Sequence, residues 1–184
     1  ITRGSDNVIS IVRAPLLNFN RLVTRGLDLE ADYRVELGGK SSLGFRVLGS
    51  YLKDLITVDS AGAVDRAGQT GQVLLGALGL PKWTVTGTTT FSTGPFTATF
   101  EARYIGKGKY DASLVGPEDE GYSPTLANSI ASNRLGDRLY GTLGLQYVVI
   151  DEPGRRMELY GAVQNLFDTD PPIAPGNTGT NASI

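Results

Sequence analysis

The residues best suited to chemistry are three consecutive acidic side chains in the segment GPEDEGYSP (116–124). Glu118, Asp119 and Glu120 offer carboxylate oxygens at short spacing, and Ca²⁺ accepts ligands of this kind. A solvated acidic loop would produce the same pattern, and we favour that interpretation. The nearby segment GKGK (106–109) is too short, and wrongly placed, for a phosphate-binding loop.

The sequence contains few residues suited to other catalytic or cofactor chemistry. The 184 residues include no His and no Cys, which removes the commonest general base, thiolate metal sites and disulfides. The chain also contains no nucleophile-elbow, Walker A or dinucleotide-binding pattern. We therefore expect no catalysis, no cofactor and no resident metal ion.

Residues that could contact a ligand share one long loop between two predicted strands. The loop contains Tyr110, Asp111, Tyr122 and Asn128, whose side chains could touch a bound solute. Their residue types select no particular ligand, so the prediction depends on their position in the loop.

Composition limits the classes of partner. Apolar residues make up 40% and charged residues 20%, as expected for a folded chain. A net charge of −2 argues against a protein that binds nucleic acid or an anionic membrane surface. No apolar run reaches the roughly 18–20 residues of a transmembrane helix, although this leaves membrane-spanning strands open.

The elements that position these loops are predicted to be six long β-strands with alternating apolar and polar residues. Segment 27–37 places leucines, Ala31, Tyr33 and Val35 on one side and acidic residues with Arg34 on the other. Such period-two alternation indicates strands with two different faces. The predicted strands are 22–37, 43–56, 81–91, 96–106, 135–150 and 156–167.

Short turns alternate with long segments between these strands. Turns near residues 40, 94 and 153 are tight, whereas segments 57–80 and 107–134 are long. This alternation predicts an antiparallel up-and-down sheet with every long loop at the same end.

Two classes of protein could contain such a sheet. A soluble antiparallel sheet with one wet face usually has strands of about 5–6 residues. The predicted strands run to roughly 10–15 residues, which is enough to cross a bilayer at a tilt. Strand length therefore favours an all-β transmembrane β-barrel segment of about six strands, with the soluble β-domain as the alternative.

Aromatic residues on the apolar side favour the same interpretation. They are predicted to form two girdles, at the long-loop end (Tyr51, Trp83, Tyr104 and Phe167) and at the short-turn end (Tyr33, Phe45, Phe91, Phe96 and Tyr147). Trp83 and Phe91 are about 26 Å apart along a strand, or near 20 Å in height at a tilt of about 40°. This height is close to the apolar band of an outer-membrane barrel, about 25 Å. Tyr140 and Tyr160 have the opposite parity and do not fit the girdles.

Charged residues of the other side would face a wet or filled lumen. Charges on the lipid side cost roughly 2–4 kcal/mol at the midplane of the bilayer, so Asp28, Glu30 and their neighbours must face away from it. We interpret them, and the Thr84-to-Thr90 ladder, as surface that contacts water and not as a specific ligand site.

Four motifs, in order along the chain, resemble those of TonB-dependent receptors. TRGLDLEADY (24–33), with Arg25, Gly26, Asp28 and Glu30, is similar to a conserved strand of that family. LPKWTVTGTTTF and ARYIGKGKYD resemble a strand start and a strand end. VQNLFDTDPP, with Asn165, Leu166, Phe167, Asp168, Pro171 and Pro172, resembles the signature near the top of the second-to-last strand. Together they cover most of the chain.

The resemblance implies an active transporter in the outer membrane of Gram-negative bacteria. Such receptors have a 22-stranded barrel closed by an N-terminal plug. They take up a ferric siderophore, cobalamin, haem or an oligosaccharide, with energy from the periplasmic TonB complex. Residues 1–184 would be the C-terminal part of the barrel domain, without plug, TonB box or final strand. A passive outer-membrane channel or barrel anchor, and a soluble adhesin or binding domain, remain as alternatives.

The segment VQNLFDTDPP is expected to turn the chain at the outer rim of such a barrel. Asn165 and Asp168 can bond nearby backbone, and Pro171 and Pro172 prevent the strand from continuing. Val163, Asn165 and Phe167 are predicted to point outward together from the end of the last strand.

Overall fold

The computed structural model describes residues 2–3, 8–11, 21–59, 62–70 and 79–171, and every regular element in these ranges is a β-strand. The strands are β1 (Thr2–Arg3), β2 (Ile9–Ile11), β3 (Arg21–Gly38), β4 (Ser41–Asp59), β5 (Gly62–Asp65), β6 (Trp83–Thr93), β7 (Phe96–Ile105), β8 (Gly108–Lys109), β9 (Arg134–Leu135), β10 (Arg138–Glu152) and β11 (Arg155–Val163). The prediction of an all-β chain is confirmed.

The main sheet contains the six long strands in sequence order, each antiparallel to the next. The order is β3-β4-β6-β7-β10-β11, and β5 pairs with the end of β4. The predicted up-and-down arrangement is therefore confirmed, with the long connections at one end, here called the long-loop rim. Within the described residues the sheet is open, with β3 and β11 as its edges, and no barrel closes.

Strand lengths are uneven across the sheet. β3 and β4 contain 18 and 19 residues, whereas β6 and β7 contain 11 and 10. Because Tyr51 pairs with Trp83, residues 52–59 of β4 extend beyond β6 by about 25 Å, at roughly 3.3 Å per residue. This extension pairs with β3 and β5 and supports the loops above the rim.

The two-residue turns at the opposite end explain how the strands reverse so tightly. Gly39 and Lys40 both have positive φ (58° and 69°), as the central residues of a type I′ hairpin turn do. Gly94 (φ 52°) and Gly154 (φ 80°) supply positive φ in the turns that contain Pro95 and Pro153.

Lys40 is the strained residue of the first turn, since a side chain in the left-handed region costs roughly 1–2 kcal/mol. Lys40→Gly is expected to raise the free energy of unfolding by about 0.5–1 kcal/mol, because the strain relieved outweighs the added chain entropy. The midpoint of denaturant unfolding measures this. Lys40→Ala keeps the Cβ and should give no gain; an equal gain from both variants would assign the effect to the lost charge.

The register of the strands places one set of side chains on a common surface, here called the apolar face. On successive strands it consists of Leu27, Leu29, Ala31, Tyr33 and Val35; Leu43, Phe45, Val47, Gly49 and Tyr51; Trp83, Val85, Gly87, Thr89 and Phe91; Phe96, Ala98, Phe100, Ala102 and Tyr104; Leu139, Gly141, Leu143, Leu145 and Tyr147; and Leu159, Gly161 and Val163. Among these residues only Thr89 and the tyrosines carry a side-chain hydroxyl, and none is charged.

The opposite surface, here called the polar face, carries the charges and hydroxyls. It includes Asp28, Glu30, Asp32, Arg34, Glu36, Arg46, Thr84, Thr86, Thr88, Thr90, Glu101, Arg103, Tyr140 and Tyr160. Several of these polar side chains bond to one another across neighbouring strands. For example, Arg46 forms a salt bridge with Glu30 at 2.7 Å. For the paired residues of these strands the predicted parities are confirmed, including those of Tyr140 and Tyr160.

The sheet does not enclose a hydrophobic core. Among the described residues, the buried large hydrophobic side chains are Leu55, Tyr110 and Leu135. All three lie beyond the long-loop rim, in the extension of β4 and in the loops that carry β8 and β9. Packing is therefore concentrated above the rim, and no layer of described strands covers the broad apolar face.

Candidate functional site

The apolar face is the largest feature of the described structure that requires a partner. Many of its large side chains are more than two-fifths exposed, including Leu29 (63%), Tyr33 (64%) and Val47 (46%). Monomeric soluble proteins rarely expose contiguous apolar patches beyond a few hundred Å². A surface that spans six strands without a charge is therefore suited to an apolar medium or to a large interface.

Aromatic rings lie towards both ends of this face. At the long-loop rim the rings of Tyr51 and Trp83 lie 4.4 Å apart, inclined by 32°. Near the short turns, Tyr33 pairs with Phe45, and Phe96 pairs with Tyr147. Between these positions lies a row without aromatic rings, formed by Ala31, Val47, Gly87, Ala102 and Gly141.

The last strand ends four residues earlier than predicted. β11 stops at Val163, and the chain turns at Asn165 and Asp168, which both have φ near 50°. The prediction that Asn165 and Phe167 continue the strand is therefore wrong. The physical reason is local bonding, since the Asn165 side chain accepts the Thr169 amide at 3.0 Å and donates to the Thr169 carbonyl at 3.2 Å.

This turn folds back onto β10 at the long-loop rim. The Leu166 amide donates to the Gly141 carbonyl, and the Thr169 hydroxyl donates to the Leu139 carbonyl. The Phe167 ring packs edge-on against Phe100 at 6.2 Å and fills the space above Gly141, where a Cβ would come within 2.8 Å of it. Phe167 thus reaches the apolar face through a turn instead of a strand. Pro171 is exposed, and Pro172 lies outside the described residues.

The motif residues on β3 have identifiable structural roles. Gly26 sits at a bulge, where a Cβ would lie 2.6 Å from the Tyr51 carbonyl oxygen, so only glycine fits. Arg25 pairs with Asp54 at 2.8 Å beside this bulge. Asp28 and Glu30 lie on the polar face, as predicted.

Above the rim, the described parts of the two long loops (62–70 and 106–137) fold together into what we call the loop module. Backbone hydrogen bonds join the two loops. The Thr70 amide donates to the Lys109 carbonyl, and the Lys109 amide donates to the Gly68 carbonyl. The approach is so close that a Cβ on Gly108 would lie 2.2 Å from the Gly68 carbonyl oxygen. The module is therefore a packed unit and not two independent loops.

Two buried amides hold the loop module together. Asn133 is fully buried and bonds the Asp111 amide, the Asp111 carbonyl and the Leu114 carbonyl at 2.8–3.1 Å. Gln69 is 2% exposed and accepts bonds from Arg66 and from the Ala112 amide. Nothing in the sequence pattern identified these residues, because their partners are distant along the chain.

The four predicted ligand-contact residues divide into two pairs. Tyr110 and Asp111 are buried, and Asp111 accepts bonds from the Ser113 amide and hydroxyl at 2.8 and 2.6 Å. Tyr122 is partly exposed, and Asn128 is exposed with its amide bonded to the Ser113 carbonyl. In this conformation only the second pair offers side-chain surface to a solute.

Two of the three acidic side chains in the segment 118–120 bond to other residues of the same long loop. Glu118 pairs with Arg134 at 3.2 Å, and Asp119 binds Lys109 and the Gly116 amide. Among the described residues no three acidic side chains converge as a metal site requires. Glu118 and Asp119 therefore have partners inside the loop, and Glu120 is exposed.

Two carboxylates in the loops make the stability of the module depend on pH. The Gly116 amide, followed by Lys109, lowers the pKa of Asp119. Burial alone would raise the pKa of Asp65, but bonds from the Leu55 and Ala67 amides, with nearby Lys82 and Arg25, bring that pKa below its usual value.

Because both pKa values are lower in the folded state, the stabilisation is complete above the unfolded value and is lost as the pH falls through the folded values. We expect hydrogen exchange in the loop module to accelerate below about pH 4, relative to the middle of the sheet. Asp119→Asn should reduce this acceleration at Gly116. Exchange that is equally pH-dependent in the variant would contradict the assignment to Asp119.

Comparisons with known proteins found no relative of this chain. No protein-family model matches it, and no curated protein or solved structure matches it either. The described residues also include no helix with the length and apolar character that a membrane crossing needs.

Proposed function

We propose that this chain forms part of the β-barrel domain of a TonB-dependent receptor in the outer membrane of a Gram-negative bacterium. Its six long strands would supply barrel wall, and its loop module would lie on the extracellular side. The full receptor would take up a ligand such as a ferric siderophore, cobalamin, haem or an oligosaccharide, driven by the TonB complex through a plug domain elsewhere in the protein.

The observation that carries this proposal is the apolar face. Its register is continuous from β3 to β11, it is exposed, and it carries aromatic rings towards both ends. Lipid is the partner that fits a surface of this extent, because each uncharged side chain could face hydrocarbon while the charges face a lumen. The outer edges of β3 and β11 pair with no other described strand, which fits a wall that continues into further strands.

The specific assignment to a receptor depends on the sequence motifs. Arg25, Gly26, Asn165 and Phe167 belong to those motifs, and each makes a defined contact in the structure. A passive outer-membrane channel or barrel anchor would use the same sheet, so it remains the second candidate. A soluble adhesin or binding domain would leave the apolar face without a partner.

Cell fractionation and the full reading frame test the proposal. We expect the full-length protein in the outer membrane, with electrophoretic mobility that changes on heating, and an upstream plug domain with a TonB box. Recovery as a soluble periplasmic protein would overturn the membrane assignment. If the protein is recovered in the outer membrane but its reading frame encodes neither a plug domain nor a TonB box, the passive channel becomes the better proposal.

A further inference from the structure

Two tyrosines lie on the polar face, whereas the other aromatic rings of the six long strands lie on the apolar face. They are Tyr140 on β10 and Tyr160 on β11. Tyr160 is 86% exposed, the highest value among the large apolar side chains of the described residues. In the proposed barrel neither ring faces lipid. Both rings are therefore placed to contact a solute in the lumen.

The register of the strands connects the two rings by one continuous strip of the polar face. Tyr140 pairs with Arg103, and Tyr160 pairs with Gln146, six positions further along β10. At roughly 3.3 Å per residue, the two tyrosines are about 20 Å apart along the sheet. The side chains between them are small, carry hydroxyls or are acidic, and with the two tyrosines and Arg103 they form what we call the tyrosine strip. They are Thr142, Gly144 and Ala162, with Glu101, Thr99 and Thr97 on β7.

The charged groups of the tyrosine strip are available to a solute. Glu101 and Arg103 are exposed, and neither forms an ion pair or a side-chain hydrogen bond with another described residue. On the neighbouring strands, by contrast, Arg46 and Glu30 bind each other. A carboxylate accepts several hydrogen bonds and a guanidinium group donates several. The strip can therefore bond to a solute that presents many hydroxyls.

Sugar rings have the chemistry that this strip would recognise. The C–H groups on the face of a sugar ring pack against an aromatic ring, while the hydroxyls at its edge bond to charged side chains. The charges of Glu101 and Arg103 offset one another. The residues named above for the polar face include five carboxylates and three arginines, so an anionic solute such as a ferric catecholate or haem would gain no net attraction. The strip therefore favours a neutral solute.

We propose that the tyrosine strip guides a neutral oligosaccharide along the barrel wall during transport. Tyr140 would receive a sugar ring near the long-loop rim, and Tyr160 would receive one about 20 Å further along the wall. Because this span exceeds the length of one sugar ring, a chain of sugars and not a monosaccharide contacts both tyrosines. This inference rests on the proposed outer-membrane location and selects one of its ligand classes.

The test measures uptake by cells that produce the full-length protein, compared with cells that lack it. The probes are labelled maltohexaose, cellohexaose and xylohexaose. We expect uptake of at least one probe, and a reduction of about two- to ten-fold in Tyr160→Ala, the range that one aromatic contact is worth. Tyr140→Ala should reduce uptake by a similar factor.

Tyr160→Phe is the matched control, because it retains the ring and removes only the hydroxyl. It should retain uptake. All three variants should reach the outer membrane in heat-modifiable form, since neither tyrosine faces lipid in the proposed barrel.

The outcomes separate the strip from the proposed function. Uptake that is unchanged in both alanine variants, equal loss in Tyr160→Phe and Tyr160→Ala, or no uptake of any probe by protein in the outer membrane would overturn the strip. Uptake that continues without a proton-motive force but falls in Tyr160→Ala would support the strip and replace the receptor by the passive channel. Failure of the wild type to reach the outer membrane would refute the membrane location, and the strip with it.

Discussion

Val47→Arg is expected to prevent the protein from assembling in the outer membrane. Val47 lies in the middle row of the apolar face, between Ala31 and Gly87 on the neighbouring strands. An arginine that faces hydrocarbon at this depth costs roughly 2–4 kcal/mol. In a soluble protein, a substitution at such an exposed position would change stability by only about 0.5 kcal/mol. The fraction of heat-modifiable protein in the outer membrane measures the effect.

Leu48→Arg is the matched control for this prediction. Leu48 is the next residue on β4, is also aliphatic and is similarly exposed (41%, against 46% for Val47). It lies on the polar face opposite Glu30, where an arginine gains a partner. We expect Leu48→Arg to assemble like the wild type. Equal assembly of the two variants would contradict the assignment of the apolar face to lipid.

Asn133→Ala is expected to open the loop module without unfolding the sheet. The substitution leaves the Asp111 amide and carbonyl and the Leu114 carbonyl without their buried partner. A buried polar group without a bond costs about 1–3 kcal/mol, so the module should lose at least that much local stability. Proteolysis within residues 108–135 and hydrogen exchange at Asp111 report the opening.

Asn128→Ala provides the comparison within the same loop. Asn128 is exposed and makes one side-chain bond, to the Ser113 carbonyl, which water can replace. We expect its effect to be within about 0.5 kcal/mol. If the two asparagine variants opened the loop equally, the buried network would not be what holds the module together.

The sheet could be predicted from the sequence because the residues that determine its strands and turns are close together along the chain. Alternation along Leu27, Leu29 and Tyr33 assigns side chains to a face without knowledge of the neighbouring strand. Glycine and proline at 94, 95, 153 and 154 mark the turns, which fixes the order of adjacent strands. Parity and strand order were therefore predicted correctly, while strand ends differed by a few residues.

The loop module could not be predicted in the same way, because it depends on contacts between distant residues. Gln69 bonds the amide of Ala112, 43 positions away, and Asn133 bonds Asp111 across 22 positions. Buried amides have no period and look like ordinary loop residues in a sequence. The positive φ of Asn165 and Asp168 likewise ends β11 at Val163, whereas the alternation in the sequence predicts a strand through Phe167.

Cysteine substitution along β6 tests the central claim most directly, because the chain contains no Cys of its own. A spin label or fluorophore is placed in turn at Val85, Thr86, Gly87 and Thr88 of the membrane-inserted protein. The apolar face predicts that labels at 85 and 87 are quenched by a lipid-soluble reagent, and labels at 86 and 88 by an aqueous one. Labels at all four positions that respond only to the aqueous reagent would contradict a lipid-facing wall.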